Sequence, residues 1–430
     1  MRRTTTRLLT GVTAAAAALS LAACGGAGST SAGGAGSGKL EVFSWWTSGS
    51  EAAALDTLFT AFKAKAPGVE VVNAAVSGGG GSNAHQALAT RLQGGDPPDS
   101  WQLHPDQDLA ETVKDGSAAD VTDLYQQNGW AGKIPQQIDD MLKVDGKYYA
   151  VPVNAHRANV LWTNPSVLQK AGVTWSDSTT LDQFVADLPK IKAAGVTPLC
   201  LGDKDIFASA QLLESVMIAK LGPDGWRGLF KGTTSFDSPQ VRSAVQTYGT
   251  LLANANPDHT ALTWDQAALN MANGKCAANL MGDWAYGELG NKGKKEGTDF
   301  GYLPFPGTKG TFDFVGDAFV IPADKAPNPN AEKAWLSVQL DPQVQKDFNL
   351  AKGSSPLRTD VATDAFPPYQ KQAIASLRSD QVVSSLAHGE AAAGEFAQTY
   401  ADAVTTFNGG QNVDAFIATM SAGQKKLGQG

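Results

Sequence analysis

The chain has 430 residues, 42% of them hydrophobic and 18% charged, with a formal net charge of −8. That balance belongs to a folded globular protein, and the length exceeds one typical core, so two lobes or domains are expected. An acidic chain without a cluster of Lys and Arg is a poor partner for nucleic acid.

Arg2, Arg3 and Arg7 make a basic start, and Leu8 to Ala23 then carries no charge. This is the order of a secretory signal over residues 1–23, and its apolar run is shorter than the roughly 20 residues that a spanning helix needs. The run ends Leu21-Ala22-Ala23-Cys24, which is similar to a bacterial lipobox. The similarity implies cleavage before Cys24, acylation of Cys24, and an anchored position on the extracytoplasmic face of the cell membrane. An ordinary secretory signal with a chance Cys is the alternative. Arg2-Arg3 lacks the rest of a twin-arginine motif, so the export route stays open. After Cys24, residues 25–38 are only Gly, Ala, Ser and Thr, a flexible tether. Losing the leader removes three Arg and no acid and takes the charge from −8 to −11.

Leu40 to Trp45 reads as a strand, with Ser50 as the N-cap of a following helix and Glu51 in its first turn. Leu55, Leu58, Phe59 and Phe62 recur at helical spacing, and Pro67-Gly68 stops the helix. A strand over 69–76, a glycine loop at 78–81, a helix over 84–92 and a strand over 100–103 follow. Strand alternating with helix implies a parallel sheet with crossover helices, and ligands gather at the carboxyl ends of such strands. Trp45-Trp46 and Gln102-Leu103-His104 sit at two of those ends. Tyr148 to Val153 is another strand, running into Asn154-Ala155-His156. A second α/β pattern then begins, with a helix over 180–194, a strand over 196–201, a helix over 241–253 and an apolar segment over 277–281. Residues 300–306 return the chain, 311–321 form a strand pair or one bent strand, 331–340 are helical, and the remainder reads as mostly helix.

Adjacent tryptophans at a strand end are uncommon. Neighbours on a strand face opposite sides, so at least one of Trp45 and Trp46 is expected to face a cleft. Flat aromatic planes fringed by polar groups suit a sugar ring, whose C–H faces stack while its hydroxyls point sideways. Core packing is the expectation for Trp130, Trp175, Trp226 and Trp335. There is no Gly-x-Ser-x-Gly elbow, no His-Glu-x-x-His and no Cys-x-x-Cys, and none of the five His lie at metal-ligand spacing. No catalytic residue, metal or cofactor is therefore assigned. A glycoside hydrolase needs two carboxylates across the scissile bond, and no pair is marked. Cys200 and Cys276 read as a disulfide in an exported chain, with two buried thiols as the alternative.

Several segments together resemble the solute-binding proteins of sugar-importing ATP-binding-cassette transporters, family 1 of the extracellular type, and most of all its glucose/mannose branch. They are FSWWTSGSEAAAL (43–55), VPVNAHRANVLWTN (151–164), GVTPLCLGD (195–203), MGDWAYGEL (281–289), FPGTKGTFDFVGDAF (305–319), KGSSPLRTDV (352–361) and LAHGE (386–390), with the glycine run at 78–81. The resemblance implies an α/β, periplasmic-binding-protein-like fold: two α/β lobes joined by hinge crossovers around a central ligand cleft. The lobes would be 39–152 with 305–340, and 153–304 with 341–430. It implies sugar contacts from Trp45, Trp46, Glu51, Gln102, His104, Trp264, Asp317, Lys352 and His388. Asp283 and Trp284 are expected to hold a turn, and His156 to act as a hinge residue. The function implied is capture of a monosaccharide, glucose or similar, by a monomer that hands it to permease subunits. A disaccharide or short oligosaccharide is the alternative ligand, and a secreted glycoside hydrolase the rival of another class.

Overall fold

A computed structural model describes residues 38–78, 81–324 and 328–427. Cys24, the leader and all of the tether except Gly38 lie outside the described residues.

Ten strands build two sheets: Gly38–Phe43 (β1), Val69–Asn73 (β2), Ser100–Leu103 (β3), Val151–Arg157 (β4), Val160–Thr163 (β5), Thr197–Leu199 (β6), Cys276–Leu280 (β7), Gly301–Pro304 (β8), Thr311–Val320 (β9) and Gln381–Ser384 (β10). The first sheet runs β10-β9-β3-β1-β2, and β4 also pairs with β9. Strand β1 is parallel to β2 and β3, as expected from the alternating pattern. The sheet as a whole is mixed, because β9 runs antiparallel to both β3 and β4. The second sheet runs β8-β5-β7-β6.

Each sheet has its own core. The first gathers Leu40, Leu55, Phe62, Trp101, Phe319 and Trp335. The second gathers Trp162, Phe184, Leu213, Trp226, Tyr248 and Phe300. Trp130, Trp175, Trp226 and Trp335 are all buried, as expected. The chain passes between the cores at residues 158–159, between β4 and β5, and returns between β8 and β9.

Five helices bear on the site and on stability: Gly49–Lys65 (α1), Trp264–Ala272 (α2), Trp284–Asn291 (α3), Pro329–Gln339 (α4) and Pro342–Lys352 (α5). Residues from 341 onward were expected with the second lobe. The structure divides them: Phe396, Tyr400, Phe407 and Met420 pack in the second core, whereas α5 lies along α1 and β10 pairs with β9. The reason is apolar: Phe348, Leu357 and Val382 find their partners in the first core. Thr311 to Val320 is one strand, every residue of it buried. Ser50 is not the N-cap of α1. Ser48 holds that position, and its side chain makes no capping bond.

The pairing of β4 with β9 has one irregularity. Asp317 faces Asn154 and Ala318 faces Pro152, which leaves Val153 as an extra residue on β4. Such a bulge takes one residue out of the ladder. The Val153 carbonyl is held instead by the side-chain amides of Gln345 (2.8 Å) and Asn349 (3.2 Å) on α5. Cys200 and Cys276 are joined as a disulfide, 5.5 Å apart at Cα.

Candidate functional site

The bulge sets the register that builds the site. Asn154 and Asp317 face each other across β4 and β9, and the Asp317 N–H donates to Asn154 Oδ1 at 2.9 Å. The Asp317 carboxylate accepts from Gln102 Nε2 at 2.7 Å and from Asn154 Nδ2 at 2.8 Å. His156 Nε2 stands 3.4 Å from the same carboxylate, while His156 Nδ1 bonds Asp283, beyond β7 on the second core. Asp283 also accepts from the Arg157 N–H and the Tyr369 hydroxyl, each at 3.1 Å. Three strands and two cores thus meet in one buried chain from Gln102 to Tyr369.

The charges in that chain support one another. Burial alone would raise the Asp317 carboxyl. The His156 hydrogen bond and charge, with Lys352 behind them, hold it well below the usual carboxylate range. Burial likewise opposes a charge on His156, and Lys352 adds to the opposition. Asp283 and the bonds to both acids outweigh them, so the imidazole pKa is raised. His156 was expected only as a hinge residue, and Asp283 only as a turn residue. The structure makes them a bridge between the cores.

A cavity opens beside this bridge. Trp45, Trp46, Glu51, His104, Asp317 and Lys352 reach it from the first core's side. Trp264, Trp284, Phe207 and His388 reach it from the other, and His156 also lines it. Eight of the nine expected contacts therefore share one wall. Gln102 is set behind it, where its Oε1 accepts from the Trp45 N–H at 3.3 Å and its amide donates to Asp317. The cavity is narrow, about 40 Å3, room for a few waters. A larger groove of about 640 Å3 lies near Asp106, Trp226 and Phe396, and none of the expected contacts line it.

The two tryptophans differ. Trp46 is fully buried, packs on Phe348 and Phe319, and carries Lys352 Nζ 5.3 Å above its ring. Trp45 keeps a small exposure and stands against His104, with ring centres 5.0 Å apart, and His85. Across the cavity, Trp284 packs edge-on against His388 and His156. Lys352 Nζ and Glu51 Oε1 form an ion pair of 2.7 Å at the wall.

Among the described residues, two buried polar atoms of the wall have no protein partner: Trp46 Nε1 and His104 Nε2. His104 Nδ1 lies 2.7 Å from the Gly316 carbonyl, so that nitrogen carries the proton and Nε2 is left as an acceptor. Burial keeps both His104 and His388 neutral by pushing their pKa values down. The wall therefore offers donors at Trp46 Nε1 and Lys352, acceptors at His104 Nε2, Glu51 and Asp317, and aromatic faces from both sides. That set fits an uncharged polyhydroxyl ring.

A family model for bacterial extracellular solute-binding proteins matches residues 16–346. An uncharacterized ABC transporter extracellular-binding protein of Pyrococcus horikoshii is 35% identical over 390 residues, 90% of this chain and 88% of that one. A probable sugar-binding periplasmic protein of Brucella suis is 33% identical over 381 residues, 86% of this chain and 88% of that one. Among solved structures, a chitin oligosaccharide binding protein superposes with a TM-score of 0.81 at 20% identity, over 92% of this chain and 100% of that one. The fold is that of the sugar-binding periplasmic proteins, two α/β halves around a cleft. No helix among the described residues is long and apolar enough to cross a membrane.

Proposed function

The chain belongs to the bacterial extracellular solute-binding protein family of ABC transporters, whose members bind and do not transform, and on that premise we propose that it captures a monosaccharide, glucose or a close relative. The observation that carries this reading is the convergence on one narrow cavity of Trp45 and Trp46 from one core and Trp264 and Trp284 from the other, with Asp317, Glu51 and Lys352 between them. Trp45 and Trp264 serve as the ring platforms. Asp317, Glu51, Lys352, His104 and His388 meet the hydroxyls, and Gln102 orients Asp317 from behind. Charged partners strengthen such bonds.

The space of about 40 Å3 is smaller than a pyranose ring, so entry requires the two halves to part and release requires them to part again. In the cell the protein works as a monomer, tethered to the membrane through acylated Cys24, and presents its sugar to permease subunits. Titration calorimetry against a panel of mono- and disaccharides tests the ligand: binding of glucose or a similar monosaccharide is expected. A preference for a disaccharide or longer chain overturns the monosaccharide, and silence across the panel at millimolar concentration overturns the sugar. Mass spectrometry of the membrane-extracted chain tests the anchor, with acyl groups expected on Cys24.

A further inference from the structure

A helix as long as α1 begins in free N–H groups that need acceptors, and the side chain of its N-cap, Ser48, supplies none. The acceptor comes from the other core. Glu288 on α3, 238 residues away in sequence, receives the Ser50 N–H on Oε2 at 3.1 Å. Its other oxygen lies 3.2 Å from Lys292 Nζ, one turn further along α3. Glu288 is buried, and a carboxylate at a helix N-terminus also meets the positive end of the helix dipole.

The chain is cut to admit this contact. Gly49 has a left-handed φ of +60°, and a Cβ there would fall 2.2 Å from Glu288 Oε2. A second contact lies one residue earlier on α3. A Cβ on Gly287 would fall 2.6 Å from the Lys352 carbonyl oxygen, and one on Gly353 would fall 2.5 Å from the Gly287 nitrogen. Bare backbone thus packs on bare backbone where α3 meets the end of α5.

Both contacts adjoin groups that line the cavity. Glu51 follows Ser50, the Lys352 side chain springs from the residue that Gly287 touches, and Trp284 begins α3 itself. We propose that Glu288 is a positioning residue: with Gly287 it clasps α3 onto α1 and α5, holds the Glu51–Lys352 pair in place, and slows the departure of bound sugar. The proposal rests on the sugar-binding reading above. Breaking the clasp lets the halves part sooner, so the effect falls on dissociation and leaves association unchanged.

Stopped-flow binding of the sugar identified by calorimetry measures both rates. Glu288→Ala is expected to speed dissociation about tenfold with association within about twofold, while Glu288→Gln, which keeps an acceptor for the Ser50 N–H, recovers most of the loss. Gly49→Ala blocks the same contact from the other side, so the Glu288→Ala/Gly49→Ala double variant should lose no more than either alone. Hydrogen exchange gives a readout that needs no sugar: the Ser50 amide should exchange at least about tenfold faster in Glu288→Ala. Unchanged exchange at Ser50, or dissociation within about twofold of the parent, overturns the clasp. A parent protein that binds no sugar while Ser50 protection still depends on Glu288 overturns the sugar reading and leaves the clasp standing.

Discussion

Replacing Asp317 by Asn tests the centre of the site. The two side chains have nearly the same shape, but Asn keeps one acceptor oxygen and turns the other into a donor. If its oxygen faces Gln102, its amide nitrogen faces Asn154 Nδ2, and in the other orientation it faces Gln102 Nε2. Neither neighbour is free to turn over. Gln102 Oε1 is held by the Trp45 N–H at 3.3 Å, and Asn154 Oδ1 by the N–H of residue 317 itself at 2.9 Å. Two buried donors are left opposed, at about 1–3 kcal/mol each. His156 also keeps only one of its two flanking carboxylates. The total loss of folding stability is therefore about 3–5 kcal/mol. Urea unfolding at pH 7 followed by tryptophan fluorescence reads it, provided both proteins share one m-value. A loss below about 1 kcal/mol would refute the bridge as drawn, because it would mean that the surrounding amides rearrange freely.

Three further outcomes are expected. Trp46→Ala, in the core, should cost about 3–5 kcal/mol of stability in the same assay, whereas Trp45→Ala should spare most of the stability and cost about 1–3 kcal/mol of sugar affinity by calorimetry. Changing both Cys200 and Cys276 to Ser should cost about 3–4 kcal/mol in guanidinium unfolding, given the 76-residue separation they close; two free thiols on the unfolded, deacylated mature chain would contradict the bridge. Glu332, on the first turn of α4, is buried with neither carboxylate oxygen bonded among the described residues, and burial pushes its pKa up to about 7. Its neutral form favours the fold, so stability drains away as pH rises from the usual carboxylate pKa through about 7. Glu332→Gln should therefore gain nothing at pH 4 and about 1–3 kcal/mol at pH 8, and an equal gain at both pH values would exclude this titration.

How legible each element is in the sequence depends on range. Helix α1 was readable because Leu55, Leu58, Phe59 and Phe62 repeat its period and face one core. Strand β3 was readable as the third strand in an alternation of strand and helix. The helical segment Phe207–Lys231, broken by a kink at Gly222, was not, because Phe207 through Ile218 are all buried and a helix covered on every side has no polar face to mark its period. Strand β10 was lost in a remainder read as mostly helix, because its strand partner β9 lies some 70 residues away. The tryptophan pair, Asp317, Lys352 and His388 stood out through residue type and family resemblance. His156 did not. Its partners Asp283 and Asp317 lie far along the chain in one direction, and no local pattern records a bond that forms only when two sheets meet. Glu288 was missed for the same reason: the helix end it serves is 238 residues away.

The extra residue at Val153 has a consequence for inheritance. Removing that one codon would let β4 and β9 pair without a break, so the lesion would read as a repair of the sheet. Asn154 would stay opposite Asp317 and Pro152 opposite Ala318, now as consecutive pairs. What would go is the carbonyl that Gln345 and Asn349 hold, which would loosen the helix that ends in Lys352. A shorter, more regular gene product would keep the Asn154–Asp317 pair and lose the tie between β4 and α5. Homologous chains that keep this cavity should therefore keep the irregularity in length at this point, whichever residue fills it.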